Sequence, residues 1–336
     1  MTGGWMQYRH GRWSCAWWAV TLAFLATSCS QPDISTPSRP AQVHSPIQLQ
    51  DVTRDTGITF VHTDGHSGQH YIMETVTAGL ALFDYDGDGW IAVYFLNGAP
   101  LRGTHVDQPP KDALYRNEGG WRFRDVTDEA GVGETGYGMG IAVADYDNDG
   151  DPDIYVNNYG PNVLYRNEGD GTFTDVTAAA GVGAGDFMGA GASFLDMDAD
   201  GWLDLYVGNY VAFTYDNHIT HSRQGYVEYA GPREYRPVPD FLFRNNGDGT
   251  FADVSDASGI HQCVGSTMGV VSADYDNDGD TDIFALSDVD RNYLYVNNGF
   301  GHFEERALVV GAAYNAYGDS LGSMGVDCSD FDNDGF

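Results

Sequence analysis

The stretch Asp145-Tyr-Asp-Asn-Asp-Gly-Asp-Pro-Asp153 decides the fold class of this chain. It places carboxylates at positions 1, 3, 5 and 9 of a loop, a glycine at position 6 for a sharp turn, and a backbone carbonyl at position 7. Such hard oxygen ligands select Ca²⁺. Related loops begin at Asp84, Asp196 and Asp274, and a partial loop begins at Asp330. The sequence therefore predicts a series of calcium loops.

The predicted metal ligands are the aspartates at positions 1, 3, 5 and 9 of these loops. They are Asp84, Asp86, Asp88, Asp145, Asp147, Asp149, Asp153, Asp196, Asp198, Asp200, Asp204, Asp274, Asp276, Asp278, Asp282, Asp330, Asp332 and Asp334. No bidentate Glu follows at position 12, which excludes an EF-hand. The alternative is that the aspartates only form Asx turns, although a turn does not require three or four converging carboxylates. Because Ala92 replaces the aspartate at position 9 of the first loop, we expect a weak or vacant calcium site there.

The loops lie between short apolar runs that are typical of strands. A glycine precedes every loop at the same offset, as Gly140 does within the run that ends at Ala144. After the second loop we predict further strands at Ile154–Asn158, Leu164–Asn167 and Phe173–Thr177, the last entered through a Gly-Asp-Gly turn. Four antiparallel strands in a unit of about 50 residues are the pattern of a β-propeller blade.

Two kinds of motif point to a known family. The units LYRNEGGWRFRDVT from Leu114, LYRNEGDGTFTDVT from Leu164 and LFRNNGDGTFADVS from Leu242 resemble, together with the aspartate loops, the FG-GAP/VCBS repeats of integrin-α-like propellers. The segments GITFVHTDGHSGQHYIMET from Gly57 and YAGPREYRPVPDFLFRNNGDGTF from Tyr229 resemble hallmarks of the ASPIC/UnbV (cartilage acidic protein-like) group. The resemblance implies an all-β propeller with calcium-binding four-stranded blades, about seven in the whole protein, and a C-terminal ASPIC/UnbV domain.

The order of the motifs predicts an incomplete ring. Leu49-Gln-Asp-Val-Thr53 matches the fourth strand of a blade but precedes the first loop, so we expect its partner strands beyond Phe336. The chain should then hold four complete blades and the opening strand of a fifth, which contains Asp327.

The N-terminal 47 residues are predicted to lie outside the propeller at 48–336. Residues 1–29 have the charge and apolar pattern of an export signal. The signal ends in Ala26-Thr27-Ser28-Cys29, which resembles a bacterial lipobox except that Ala26 replaces the usual leucine. Lipidation of Cys29 and simple secretion therefore both remain open. Residues 30–47 are rich in Pro and Ser and predict a flexible linker. We expect an extracytoplasmic protein, either anchored in the cell envelope or secreted.

Charge narrows the range of partners. The chain has 49 acidic and 16 basic residues and a formal net charge of -33. This excess repels nucleic acid and anionic membrane surfaces, so a lipid anchor is the only membrane contact that we expect.

Two functional classes remain. An exported calcium-binding module for a protein or glycan partner is favoured, because no catalytic motif is present and the His, Tyr and Arg residues concentrate in one insertion, Val211–Asp240. We predict that this insertion protrudes between the second and third strands of the third blade. The alternative is a propeller enzyme of the lyase or quinone-dependent oxidoreductase type. The spacing of His62, His66 and His70 permits a metal role, but glycines between them favour a polar loop, and Glu74 is predicted to make a structural hydrogen bond.

Overall fold

The computed structural model describes residues 49–330. The predictions for the export signal, the linker, Asp332 and Asp334 lie outside the described residues. Within residues 49–330 no helix has the length and apolar character needed to cross a membrane.

Four antiparallel meanders of four strands follow one another along the chain. The first is β1 (Leu80–Phe83), β2 (Ala92–Phe95), β3 (Ala113–Asn117) and β4 (Phe123–Asp125). The second is β5 (Tyr137–Ala144), β6 (Asp153–Gly160), β7 (Val163–Asn167) and β8 (Phe173–Asp175). The third is β9 (Phe187–Leu195), β10 (Asp204–Asn209), β13 (Phe241–Asn245) and β14 (Phe251–Asp253), with the hairpin β11 (His221–Arg223) and β12 (Tyr226–Glu228) inserted. The fourth is β15 (Thr267–Ala273), β16 (Asp282–Ser287), β17 (Tyr293–Asn297) and β18 (Phe303–Glu305). The prediction of an all-β, incomplete propeller is confirmed.

The fourth strand of each blade is shorter than predicted. In the second blade β8 ends at Asp175, and the turn α2 (Thr177–Ala180) begins where the strand was expected to continue. The Asp175 carboxylate accepts hydrogen bonds from the Thr177 amide at 3.0 Å and hydroxyl at 2.6 Å. The hydroxyl oxygen of Thr177 in turn accepts the Leu164 amide of β7 at 2.8 Å. These bonds stop the strand and turn the chain. Similar turns are α1 (Thr127–Ala130), α3 (Ser255–Ser258) and α4 (Ala307–Val310).

Two predicted strands are absent from the described chain. Thr53 begins a 3₁₀ turn, Thr53–Asp55, in place of the end of the strand predicted over Leu49–Thr53. Its amide donates to the Asp51 carboxylate at 3.0 Å, which is the same local bond that ends β8. Residues 321–330 also have no regular secondary structure, so Asp327 does not lie in a strand. The reason is the same in both places, since neither segment has a neighbouring strand to pair with among residues 49–330.

The repeated glycines allow the innermost strands of adjacent blades to approach closely. A Cβ atom on Gly140 would lie 1.9 Å from the Ala190 carbonyl oxygen of the next blade. A Cβ on Gly191 would lie 3.0 Å from the Met268 carbonyl oxygen. A Cβ on Gly269 would lie 2.9 Å from the Met324 carbonyl oxygen, so the close approach explains the glycine before the second, third and fourth loops. Between the second and third blades the approach extends into a ladder from β6 to β9, which joins them in one eight-stranded sheet.

The insertion between β10 and β13 covers one end of the innermost strands. Its residues Phe213 and Tyr235 share a buried cluster with Tyr71 and Met73 of the first blade and with Tyr137 at the start of β5. The insertion lies between the second and third strands of the third blade, as predicted, and residues 222–229 of its β11–β12 hairpin are exposed. The prediction of a protruding insertion is wrong at its aromatic residues Phe213 and Tyr235, which pack into this cluster. We call residues 61–76 and 211–240 together the cap.

Candidate metal centres

The four predicted calcium loops that the structure describes in full each connect the first and second strands of a blade. In the second blade β5 ends at Ala144, the loop begins at Asp145, and Asp153 opens β6 opposite Ala144. The start of β5 at Tyr137 lies in the cap cluster. The eight residues of β5 therefore separate the cap from the loop, and the two lie at opposite ends of the innermost strand.

The carboxylates at positions 1 and 5 fold the loop itself. Asp145 accepts hydrogen bonds from the amides of Asp149 at 3.1 Å and Gly150 at 2.9 Å. Asp149 accepts the amide of Asp151 at 3.0 Å. The Asx-turn interpretation thus describes part of what these two positions do.

Among residues 49–330, four groups of three aspartates bring carboxylate oxygens within 4.8 Å of one another. The first group comprises positions 1, 3 and 5 of its loop, whereas the other three comprise positions 1, 3 and 9. They are Asp84, Asp86 and Asp88; Asp145, Asp147 and Asp153; Asp196, Asp198 and Asp204; and Asp274, Asp276 and Asp282. The predicted ligands Asp149, Asp200 and Asp278 at position 5 lie in the same loops and bond the amides at position 7. Asp330 is described, but the other two ligands of its loop are not.

The position 9 aspartates are buried. Asp153 accepts the Tyr146 amide at 3.0 Å on one oxygen and the Asn167 amide at 2.8 Å on the other. Burial raises the pKa of Asp153 to about 7, against the opposing effect of these amide bonds. The pKa of Asp204 is raised to about 7 for the same reason. Ala92 leaves the first loop without this buried carboxylate.

The position 3 aspartates supply the evidence that a cation fits. The Oδ1 atoms of Asp147 and Asp198 are buried and accept no hydrogen bond, and neither does Oδ1 of Asp84 in the first loop. A buried carboxylate oxygen without a donor is costly, and a cation inside the group of three would satisfy it. Since every donor atom is a carboxylate oxygen, the residues present fit Ca²⁺.

An arginine forms ion pairs with the aspartates of the first and third loops. Arg116 of β3 contacts Asp86 at 2.7 Å and Asp88 at 2.9 Å. Arg244 of β13 makes the matching contacts in the third blade, at 2.8 and 3.2 Å. In the fourth blade the same strand position is Val296. The fourth loop therefore lacks the arginine that faces the first and third.

His62, His66 and His70 form no metal centre, because none of them belongs to a group of potential metal ligands among the described residues. His66 Nδ1 instead lies 3.2 Å from Glu74 Oε2. Glu74 also accepts the Ser67 hydroxyl at 2.9 Å and the Tyr229 hydroxyl at 2.9 Å. Burial acts to raise the pKa of Glu74, but these hydrogen bonds outweigh it and hold the pKa below its usual value. Glu74 thus makes the structural hydrogen bonds predicted for it.

A second set of contacts fixes the insertion to the first blade. The Arg102 guanidinium lies 4.5 Å from the centre of the Tyr215 ring and 3.1 Å from the Asp216 carboxylate. The His218 Nε2 donates to the Gln69 carbonyl at 3.0 Å. The His218 contact joins the two segments of the cap, and the Arg102 contacts join the insertion to the loop between β2 and β3; all of them span more than a hundred residues of sequence. No periodic pattern in the sequence signals them.

The asparagines that end the third strands were missed. They are Asn117, Asn167, Asn245 and Asn297. Each lies next to the calcium loop of its own blade. Asn167, for example, donates from its side chain to the Pro152 carbonyl of the second loop at 3.2 Å. Their recurrence in the LYRN units was the signal that could have identified them.

Comparison with known proteins agrees with this architecture. A family model described as the FG-GAP-like repeat matches residues 84–156, 145–207, 229–285 and 274–336. The chain belongs to the FG-GAP-like repeat family. Its repeats are similar to those of cartilage acidic protein 1 from Xenopus tropicalis, with 27% identity over 66% of this chain and 33% of the relative. Cartilage acidic protein 1 from Homo sapiens is 28% identical over 66% of this chain and 32% of its own length. The chain thus spans about a third of the length of these relatives.

Structural comparison adds little to the family assignment. A solved Agrocybe aegerita lectin, described by its specific recognition of non-reducing terminal N-acetylglucosamine, aligns over 68% of this chain and 65% of its own. The sequence identity is 19% and the TM-score is 0.30. A similarity this low carries no argument about the ligand.

Proposed function

We propose that this chain is an exported calcium-binding propeller module that binds a protein or glycan partner and is not an enzyme. The observation that carries the calcium assignment is a buried carboxylate oxygen without a hydrogen-bond donor in three of the four described loops, at position 3 in the second and third loops (Asp147, Asp198) and at position 1 in the first (Asp84). The family assignment supports the interaction role, and the net charge of -33 favours partners other than nucleic acid.

The charges in each loop give calcium a structural role. Two ionised carboxylates whose oxygens lie within 4.8 Å of each other repel by at least about 3 kcal/mol at an effective dielectric constant of about 20. A bound Ca²⁺ converts this repulsion into attraction in every loop that it occupies. Because the loops join the two inner strands of each blade, the stability of the blade should follow calcium occupancy.

Thermal unfolding tests this proposal. Removal of calcium with EDTA should lower Tm, and calcium in excess should restore it, since calcium at about 100 times its Kd adds about 2.7 kcal/mol for each site. Asp198→Asn should reduce the shift, whereas Asp248→Asn should not, because Asp248 lies in a turn of the same blade and bonds only Thr250. A metal-free protein with an unchanged Tm would reject the calcium assignment.

The exposed tip of the β11–β12 hairpin is the proposed contact surface for the partner. Tyr226 is 77% exposed and Val227 is 46% exposed. The hydrogen bond from the Tyr229 hydroxyl to Glu74 fixes the base of the hairpin. Exposed tyrosines on a fixed support are effective interface anchors. Deletion of residues 211–240 is not a clean test of this role, because it would remove the buried Phe213 and Tyr235 and uncover the cluster that they cover.

Point substitutions at the tip give the cleaner experiment. After a pull-down or glycan array with the full chain has identified a partner, Tyr226→Ala with Val227→Ala should abolish binding and leave the EDTA-dependent change in Tm intact. Trp121→Ala is the matched control, since Trp121 is 71% exposed on the β3–β4 turn outside the cap. Undiminished binding by the hairpin variant would reject this contact surface.

The enzyme alternative has less support. A lyase or quinone-dependent oxidoreductase needs titratable groups that converge at the mouth of the channel. At the end that the cap covers, the innermost strands meet buried aromatic and methionine side chains, among them Tyr137 and Met188. Glu74 has no exposed side-chain surface and its oxygens are engaged by His66, Ser67 and Tyr229.

A further inference from the structure

The asparagine that ends the third strand of a blade connects two calcium loops. In the second blade the backbone N–H of Asn167 donates to Oδ1 of Asp153 at 2.8 Å. Asp153 is position 9 of the loop in the same blade. The side-chain Nδ2 of the same residue donates to the Tyr85 carbonyl at 2.8 Å. Tyr85 is position 2 of the loop in the preceding blade and stands between the ligands Asp84 and Asp86. One buried residue therefore contacts a metal-group carboxylate in its own blade and the backbone of the calcium loop in the preceding blade.

The third blade repeats this arrangement. The Asn245 amide donates to Oδ1 of Asp204 at 2.8 Å. Its Nδ2 donates to the Tyr146 carbonyl, at position 2 of the second loop, at 2.9 Å.

The fourth blade shows the same bonds a third time. The Asn297 amide donates to Asp282 at 2.8 Å, and its Nδ2 donates to the Met197 carbonyl of the third loop at 2.7 Å. Asn167 and Asn245 are buried to 0% and 2% exposure, and Asn297 to 5%. Water therefore does not compete for these bonds, and each one holds its geometry.

The first blade contains a natural control. Asn117 donates from Nδ2 to the Ile91 carbonyl of its own loop at 3.0 Å, as the other three asparagines do in theirs. Position 9 of that loop is Ala92, and no calcium loop precedes it among residues 49–330. Asn117 thus has the contact within the blade without the contact between blades.

We propose that Asn167, Asn245 and Asn297 are positioning residues that couple calcium binding in their own blade to calcium binding in the preceding one. The inference rests on the proposed calcium function. A cation that fixes the position 9 carboxylate fixes the asparagine bonded to it. The asparagine side chain then holds the position 2 carbonyl of the preceding loop, and with it the spacing of the carboxylates at positions 1 and 3. By thermodynamic linkage the effect is reciprocal.

Two native tryptophans allow the loops to be measured separately in the full chain. Trp90 and Trp202 stand at position 7 of the first and third loops. Terbium alone, displaced afterwards by calcium, is the probe, and the emission lost in Trp90→Phe belongs to the first loop. Weakening the second loop with Asp147→Asn should raise the half-saturation point at Trp90 about three- to tenfold, the range of one hydrogen bond.

The coupling is tested by repeating this comparison in an Asn167→Ala background. There Asp147→Asn should no longer shift the Trp90 titration, whereas in an Asn117→Ala background the shift should persist. Asn167→Asp, which keeps the size of the side chain and removes the Nδ2 donor, should behave like Asn167→Ala and serves if that variant does not fold. A shift that persists without the Asn167 donor, or that is absent from the unsubstituted chain, would overturn the coupling alone. Absence of terbium and calcium binding at both tryptophans would instead overturn the calcium function.

Discussion

In an Asn167→Ala background, which removes the proposed coupling of the first loop to the second, lowering the pH from 8 to 6 is expected to weaken calcium binding at the third loop about tenfold and to leave the first loop nearly unchanged. The third loop contains Asp204, whose pKa burial raises to about 7. Calcium binds the ionised carboxylate, so a proton competes with the metal below pH 7. With a pKa of 7, the ionised fraction falls about tenfold between pH 8 and pH 6, which corresponds to about 1.4 kcal/mol. The first loop has Ala92 at this position and lacks the competing proton.

The measurement uses calcium titrations followed by tryptophan fluorescence, with Trp90→Phe and Trp202→Phe assigning the signal to each loop. Asp204→Asn removes the titrating group and should abolish the pH dependence of the third loop. Equal losses at both loops in the Asn167→Ala background, or no loss at the third, would refute the reasoning.

The same pKa has an opposite consequence for the metal-free protein. Burial raises the pKa of Asp204 from its usual value of 3.8 to about 7, so between these pH values the metal-free fold binds a proton that the unfolded chain releases. Its contribution to stability is present below pH 4 and is lost as the pH rises through 7. The EDTA-treated protein should therefore gain relative stability from this site as the pH is lowered from 8 to 5, a range in which calcium binding weakens. Urea unfolding of Asp204→Asn, which should lack this trend, is the control.

Three further predictions concern single positions. Gly140→Ala should lower the free energy of unfolding by about 1–3 kcal/mol in a urea titration because the new Cβ meets a carbonyl of the next blade, whereas Gly231→Ala, with no atom within 4 Å, should have little effect. Glu74→Ala should lower the free energy of unfolding by about 2–3 kcal/mol in the same assay, because it leaves the hydrogen-bond donors His66, Ser67 and Tyr229 unpaired. Glu234→Ala, which removes a more exposed pair with His221, should lower it by less than about 1 kcal/mol. Equal losses would contradict a stabilising role for the Glu74 hydrogen bonds. Ala92→Asp should strengthen calcium binding at the first loop and make it sensitive to pH, and superimposable calorimetric isotherms would show that position 9 contributes nothing to the site.

Local pattern was sufficient to predict the blades. The alternation around Ile154 and the fixed spacing from glycine to aspartate are short-range features, and the structure forms its strands where they predict them. The shortening of the fourth strand depends on one side-chain bond, from Thr177 to Asp175, which competes with the ladder. The motif was visible in the sequence, but strand propensity alone gave it the wrong conformation.

The cap could not be predicted because its contacts are long-range and follow no period. Glu74 and Tyr229 lie 155 residues apart, and each belongs to a segment whose composition is typical of a surface loop. The sequence placed Tyr and Arg residues in the insertion but gave no sign that Phe213 and Tyr215 would pack on Tyr71. Similarly, the aspartates were predicted as one equivalent set, whereas burial separates position 9 from position 5.

The ladder from β6 to β9 joins the two middle blades more closely than either is joined to an outer blade. Tyr159 pairs with Met188 and Gly160 with Phe187, so the second and third blades share one hydrogen-bonded sheet, while the first and fourth blades form separate sheets. Cooperative opening tends to follow such connected sheets. Amide hydrogens in the two middle blades should therefore exchange with solvent as a single slow unit, after those of the outer blades. A protease should accordingly cleave the first and fourth blades before the middle two. The remaining fragment would contain the second and third blades with their loops.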